Sequence, residues 1–261
     1  MKALLGAGMT LLAPLVCAQT ADLQAILTQS RQRIEAADFS ATGHLVWVQP
    51  SGTRISYPIA LKAHWFPGVL RIKAELGSEA KAGSSATKGA TATHALIEMR
   101  PNGQNTIWIA HPGDKEAAPL AFDKWGEGPV GSEFSYEDFL EEQIFWPDQR
   151  VVEQTRFGAR DCIVVKSTPG PGVKTHYSEV KTWIDREITF PVYLEKTVKE
   201  SGAVKEFTSY GLRHEGGVWS ARQIEMKTRG QGGSTLLIID RGTPKAHLTL
   251  NDFNPAQLTR F

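Results

Sequence analysis

Two adjacent runs of period-two alternation constrain this chain more than any other feature. In the first, Phe39, Ala41, Gly43, Leu45 and Trp47 alternate with Ser40, Thr42, His44 and Val46. In the second, Ile55, Tyr57, Ile59, Leu61, Ala63 and Trp65 alternate with a set that includes Arg54, Ser56, Lys62 and His64. Successive strand side chains point to opposite faces, so each run is a strand with one apolar face. Pro50-Ser51-Gly52 makes the turn between them. Pro58 lacks an N–H, which implies an edge position or a bulge at that point of the second strand.

The same reading extends along the chain. Strand patterns occupy 69–76, 94–100, 105–111, 150–157, 161–168, 179–185, 192–199, 203–214, 219–228 and 234–240. Pro67-Gly68, Pro101-Asn102-Gly103, Gly158-Ala159, Pro169-Gly170-Pro171-Gly172, Ser201-Gly202 and Gly216-Gly217 stand at the joints. Short β joints at regular spacing call for consecutive antiparallel pairing, not βαβ crossovers. Residues 77–93 are Gly, Ala, Ser, Thr and Lys-rich with no large apolar side chain, and read as a flexible hairpin loop. A second loop, rich in Pro, Gly and charge, covers 112–133. Residues 19–261 form one domain on this reading, with no internal repeat.

Two segments carry helical spacing instead. In 21–36, Leu23, Ile26, Leu27 and Ile34 form one apolar stripe. Ser135-Tyr136-Glu137-Asp138 has the form of a capping box. The helix predicted after it puts Tyr136, Phe139, Leu140 and Ile144 on one face and Glu137, Glu141 and Glu142 elsewhere, and ends at Pro147. The acidic group Glu137, Asp138, Glu141, Glu142 then reads as a solvated helix face and not as a catalytic carboxylate pair.

The first 18 residues fit a cleaved secretory signal peptide: Lys2, an uncharged apolar run over 3–16, and Val16-Cys17-Ala18 as an A-x-A-like site. The run is too short for a stable membrane span. Lipidation of Cys17 is the alternative to cleavage after Ala18, but Val16 stands where Gly, Ala or Ser is usual. Cleavage leaves Cys162 as the one cysteine, so an internal disulfide is excluded and the exported chain relies on its core. Cys162 lies in Cys162-Ile163-Val164-Val165 and reads as a buried small hydrophobe.

Composition narrows the function. The net charge of +1 lacks the basic footprint of a nucleic-acid protein. Gly126, Gly128 and Gly131 match G-x-G-x-x-G in form only. No strand–turn–helix frames them, Glu127 would repel a pyrophosphate, and Pro129 sits inside. None of the seven histidines forms a ligand-spaced pair, and no G-x-S-x-G elbow occurs. No cofactor or metal is implied. What remains is the apolar face of the two long strands: Leu45, Trp47, Ile55, Tyr57, Ile59, Leu61 and Trp65. It is either the packed core of a barrel or sandwich, or the concave face of a curved sheet that holds an apolar ligand. In the second case Phe139, Leu140 and Ile144 close over it as a lid.

The chain resembles the periplasmic lipoprotein-carrier superfamily, the LolA-like proteins and their outer membrane lipoprotein-sorting relatives. The cues, in order, are Phe39-Ser40-Ala41-Thr42 after the first helix, Trp65-Phe66-Pro67-Gly68-Val69-Leu70-Arg71, and Asn102-Gly103 to Trp108. They continue with Phe134-Ser135-Tyr136-Glu137-Asp138, Lys181-Thr182-Trp183-Ile184-Asp185, Phe190-Pro191, Glu195-Lys196 and Leu250-Asn251-Asp252-Phe253-Asn254-Pro255. The resemblance implies an α+β, mostly β fold: a strongly curved antiparallel sheet, an incomplete barrel, with helices covering the concave face. It implies a periplasmic carrier of acyl chains of lipids or lipoproteins, working with inner- and outer-membrane partner proteins and without enzymatic activity. A sensor or assembly partner of the same fold is the alternative, and a secreted hydrolase the third. One position departs from the family: Phe66 stands where the carrier's functional Arg precedes the Pro, so an Arg-to-helix latch is not carried over.

Overall fold

The computed structural model describes residues 13–77 and 92–261. Residues 1–12 of the expected signal peptide and most of the expected loop at 77–93 lie outside the described residues. Helix α1 (Ala13–Glu35) begins eight positions before the 21 expected from its apolar stripe. Leu23, Leu27 and Ile34 are buried, and Ile26 packs beside them.

Fifteen strands follow among the described residues: β1 (Asp38–Val48), β2 (Arg54–Phe66), β3 (Val69–Leu76), β4 (Thr93–Met99), β5 (Thr106–Ala110), β6 (Ala118–Pro119), β7 (Asp148–Phe157), β8 (Arg160–Thr168), β9 (Tyr177–Asp185), β10 (Phe190–Val198), β11 (Val204–Tyr210), β12 (Arg213–Glu215), β13 (Val218–Ser220), β14 (Gln223–Thr228) and β15 (Ser234–Pro244). Thirteen form one antiparallel sheet in the order β6-β5-β4-β3-β2-β1-β15-β14-β11-β10-β9-β8-β7. It does not close, since β6 and β7 are its two edges. Neighbours are consecutive in the chain except at β1–β15, which joins the two arms, and at β11–β14, from which β12 and β13 leave.

The alternation expected of β1 and β2 becomes register. Leu45 sits opposite Tyr57, Ala41 opposite Leu61 and Trp47 opposite Ile55. A bulge between Thr42 and Gly43 shifts β1 against β15. Only glycine fits there: a Cβ on Gly43 would lie 1.9 Å from the Ile238 carbonyl oxygen. Pro58 is tolerated inside β2 because the β3 ladder starts one residue later, at Ile59. Its carbonyl accepts from the Gly77 N–H at 2.9 Å on that side.

Three sequence expectations are corrected. The expected strands 203–214 and 219–228 each split, and their inner ends leave the main sheet as the β12–β13 hairpin. Gly211 takes positive φ at that break, and the Arg222 N–H bonds to the Tyr210 and Gly211 carbonyls, so the ladder ends there. The expected loop 112–133 holds β6 and two 3₁₀ turns, Phe122–Lys124 and Pro129–Gly131. The expected helix after Ser135 is instead two 3₁₀ turns, Tyr136–Phe139 and Glu142–Phe145. The capping box forms, with Ser135 and Asp138 exchanging hydrogen bonds, but Leu140 is already extended at φ −86°, ψ 117°. Asp138 is held from the far side by the sheet, which pulls the chain off the helical path.

The C-terminal residues cover the outer face of β2–β5. Phe253 and Leu258 are fully buried there against Leu96 and Ala110. Phe66 belongs to this outer cover, edge-on to Phe253 at 5.6 Å, so the position that departs from the family pattern faces away from the concave side.

Candidate functional site

The concave face carries two contiguous apolar clusters. Leu45, Ile55, Tyr57, Ile59 and Leu61 are buried in one, with Ala74, Leu76, Phe207, Met226 and Leu237, and half-buried Trp47 packs against it. Trp65, Leu140 and Ile144 belong to the other, with α1 and with Ile97, Ile107, Ile163 and Ile184. Phe139 packs against both. The sequence-predicted residues therefore share one side of the sheet but fall into two groups, which the segment 120–147 bridges. Phe134, on that segment, meets Phe139 and Phe207 edge-on at 4.9 and 5.8 Å. Trp65 stacks on Phe145 at 6.3 Å.

This cover is attached in an unusual way. The backbone–backbone hydrogen bonds of residues 121–146 run within the segment, such as Tyr136 N–H to the Glu127 carbonyl and Glu137 N–H to Trp125. No strand ladder ties them to the sheet. Besides apolar packing, the Glu133 N–H to Thr235 bond at 3.1 Å and the Arg31 bond to the Ile144 carbonyl, what ties them is a buried set of charged side chains, and here the solvated acidic face expected from sequence is overturned. Glu137, Asp138 and Glu142 are buried, and Glu141 alone of the four keeps substantial side-chain exposure. A helix would have turned them outward; the 3₁₀ path turns them into the concavity.

Asp138 is the centre. Its Oδ1 accepts from the Tyr177 hydroxyl at 2.5 Å and pairs with Lys196 Nζ at 3.3 Å; its Oδ2 pairs with Lys205 Nζ at 2.9 Å. The Ser135 hydroxyl and N–H both donate to Oδ2 at 2.8 Å. Burial by itself would raise the Asp138 pKa, but Lys205, Lys196 and the hydrogen bonds outweigh it and hold the carboxyl well below the usual range. Burial and the Asp138 charge push the Tyr177 hydroxyl well above its ordinary value, so it stays a donor.

Two further contacts extend the set. Glu137 accepts from the Thr175 hydroxyl, from the His176 N–H at 2.9 Å, and pairs with His176 Nδ1 at 2.6 Å. Phe122 stacks on His176 at 4.3 Å. Glu142 accepts from the Asn105 side chain, while its Oε1 has no hydrogen-bond partner. Burial, and then the nearby Glu137 charge, push the Glu142 carboxyl up to about 7.

Sequence reasoning passed over Tyr177, Lys196 and Lys205. Once β10 and β11 are paired, Lys196 shares its face with Leu194, and Lys205 with Phe207. Elsewhere, an open groove of about 800 Å³ runs between the β7–β8 turn and Asp185–Glu187, lined by Arg156, Arg160, Arg186 and Asp161. Arg160 already pairs with Asp185 at 2.5 Å. Cys162 lies buried at its floor, and burial raises its pKa, so the thiol is a packing group. Among the described residues no helix is long and apolar enough to cross a membrane.

A half-open antiparallel sheet with a covered concave side is the architecture of the LolA-like fold, and solved structures agree. A domain titled an outer membrane lipoprotein-sorting protein from Vibrio parahaemolyticus superposes with TM-score 0.78 at 21% identity, covering 90% of this chain and 97% of that one. A DUF1329 family protein from Desulfovibrio piger gives TM-score 0.75 at 15% identity, covering 92% and 98%. A LolA superfamily protein from Nitrosomonas europaea gives 0.61 at 15%, covering 88% and 96%. A search of curated proteins finds no match. A family profile described as "Uncharacterized protein" matches residues 88–260, more than half of the chain, and the protein belongs to that family.

Proposed function

We propose that this protein is a periplasmic carrier, exported by a cleaved signal peptide, that takes up acyl chains of lipids or lipoproteins between the concave face and its cover. The observation that carries the reading is the attachment of the cover. Residues 121–146 lay Phe134, Phe139, Leu140 and Ile144 on the concave clusters, yet share no backbone ladder with the sheet. They can lift without breaking one.

The energetics fit a reversible carrier. Each methylene removed from water is worth about 0.8 kcal/mol. An acyl chain that displaces the cover replaces one set of apolar contacts with another, so the exchange lies near balance and cargo can leave again. Leu45, Trp47, Ile55, Tyr57, Ile59, Leu61 and Trp65 would line the chain, with Phe139, Leu140 and Ile144 above it. The titles of the lipoprotein-sorting and LolA superfamily structures support the same class of cargo. One observation favours a second reading, a sensor or assembly module without cargo: the face is filled, with Leu45 1% and Tyr57 3% exposed.

Two measurements decide between them. Mass spectrometry of the protein purified from its own periplasm should find bound lipid, and a fluorescent fatty acid should bind. Leu61→Glu should abolish that uptake by placing a charge among apolar groups. Absence of lipid and of uptake by the wild type would leave the cargo-free module.

A further inference from the structure

We propose that the cargo is an anionic amphiphile whose carboxylate or phosphate takes the place of the Asp138 carboxylate between Lys196, Lys205 and Tyr177. This deepens the carrier reading and rests on it.

The argument starts from a pair of residues that an acyl-chain cavity does not need. Lys196 and Lys205 are direct cross-strand partners on β10 and β11. Like charges placed opposite each other repel. Both are also withdrawn from water, with side chains 5% and 15% exposed. Such a pair persists only with an anion between its members.

That anion comes from one place. Tyr177, Lys196 and Lys205 all stand on strands of the sheet, whereas Asp138 stands on the cover. The other carboxylates that act on the pair do too: Glu133 on Lys205 and Glu142 on Lys196. Glu137 beside them is also on the cover and is engaged by His176 and Thr175. The acidic strand neighbours Glu195 and Glu206 turn away and pair with Arg229. Lifting the cover therefore removes all of this counter-charge at once. It leaves two ammonium groups and a phenol beside Phe207 and Leu194.

Lys196 is held in place on the sheet independently of Asp138. Lys196 Nζ lies 5.1 Å from the Tyr177 ring centroid and 4.9 Å from that of Phe207. Lys205 Nζ also reaches the Glu133 carbonyl and the Ser135 hydroxyl, both at 3.3 Å, and these too belong to the cover. An amphiphile with an anionic head would exchange one carboxylate or phosphate for another while its chain exchanges with Phe139 and Leu140. A neutral amphiphile opens the cover and leaves the lysines unpaired. The site thus selects by charge as well as by chain.

The test titrates the mature protein with a fluorescent long-chain fatty acid and with its methyl ester. Truncating one partner of a buried charge pair costs affinity steeply, so the acid should bind at least about tenfold tighter than the ester. In Lys196→Met/Lys205→Met/Asp138→Asn, which removes the ions together and leaves none unpaired, the ratio should fall to about one, with the ester binding at least as tightly as it does to the wild type. Lys205→Met alone, at the more exposed lysine, should weaken the acid and spare the ester, and carries the test if the triple variant does not fold. Millimolar inorganic phosphate should not displace the acid; displacement would mean a free-anion site and overturn the amphiphile. Equal binding of acid and ester by the wild type, or a ratio kept in the variants, would overturn the anion site while the carrier stands. Binding of neither probe would overturn both.

Discussion

On β1–β5 the concave positions are Leu45, Tyr57, Leu61, Ala74, Ile97 and Ile107; on β8–β11 apolar Ile163, Val165, Ile184 and Phe207 are joined by Ser167, Thr182, Lys196 and Lys205. The first arm holds its cover by apolar area, which is non-directional and tolerates exchange of one hydrocarbon for another. The second adds to its apolar contacts a carboxylate in a defined socket, which is directional and costly to leave empty. The outer faces differ as well. The C-terminal turns seal β2–β5 with Phe253 and Leu258, while β7–β9 and the turn after β9 carry the open charged groove.

The sharpest break of this comparison is at Asp138. Asp138→Ala leaves two buried ammonium groups unpaired and should cost about 3–5 kcal/mol in urea unfolding. Replacing Lys196, Lys205 and Asp138 together with Met, Met and Asn should cost much less. Equal losses would mean that the second arm, too, is held by packing. In the apolar arm, Leu45→Ala should cost about 3 kcal/mol through transfer and cavity formation. That loss should be indifferent to pH across the neutral range and to salt.

Glu142 sharpens the comparison through pH. Its folded carboxyl titrates at about 7 against 4.5 when unperturbed. The folded state keeps the proton longer, so this group's contribution to stability is greatest below pH 4.5, falls between 4.5 and 7, and stays at the lower level above. Glu142→Gln should flatten that slope and gain roughly 1–3 kcal/mol on the wild type between pH 5 and pH 8. A wild-type urea midpoint that is flat over this interval would remove Glu142 from the buried set. The smallest effect is expected at the β3–β4 connection. Leu76 and Thr93 are already paired by the ladder. Exchanging 78–91 for a short Gly-Ser linker should shift the unfolding free energy by less than about 0.5 kcal/mol. A larger shift would show that those residues contact the first arm.

The two arms also differ in how far they could be read before the structure. In β1 and β2, strict alternation fixed both the strand and the face, because a one-residue slip would have exposed Leu45, Tyr57 and Leu61 together. Gly68 and Gly103, at φ +80° and +76°, closed hairpins where Pro67-Gly68 and Asn102-Gly103 announced them. In β10 and β11 charged and apolar residues occupy both faces. Parity there could assign a face only once a neighbouring strand was known. The 135–146 segment misled for a related reason. Its capping box is local and formed, whereas its continuation depended on Lys196 and Lys205, 58 and 67 residues away in the chain.

The chain by itself determined the antiparallel β meander, its joints, the burial of Cys162 and the apolar face of β1 and β2, since all follow from side-chain period and turn chemistry over a few residues. Only the tertiary structure decided that β15 closes onto β1, that the β12–β13 hairpin leaves the sheet, and that Glu137, Asp138 and Glu142 turn inward. An isolated carboxylate belongs in water. It goes inside only where distant strands bring two ammonium groups and a phenol to meet it, and no local pattern records that meeting.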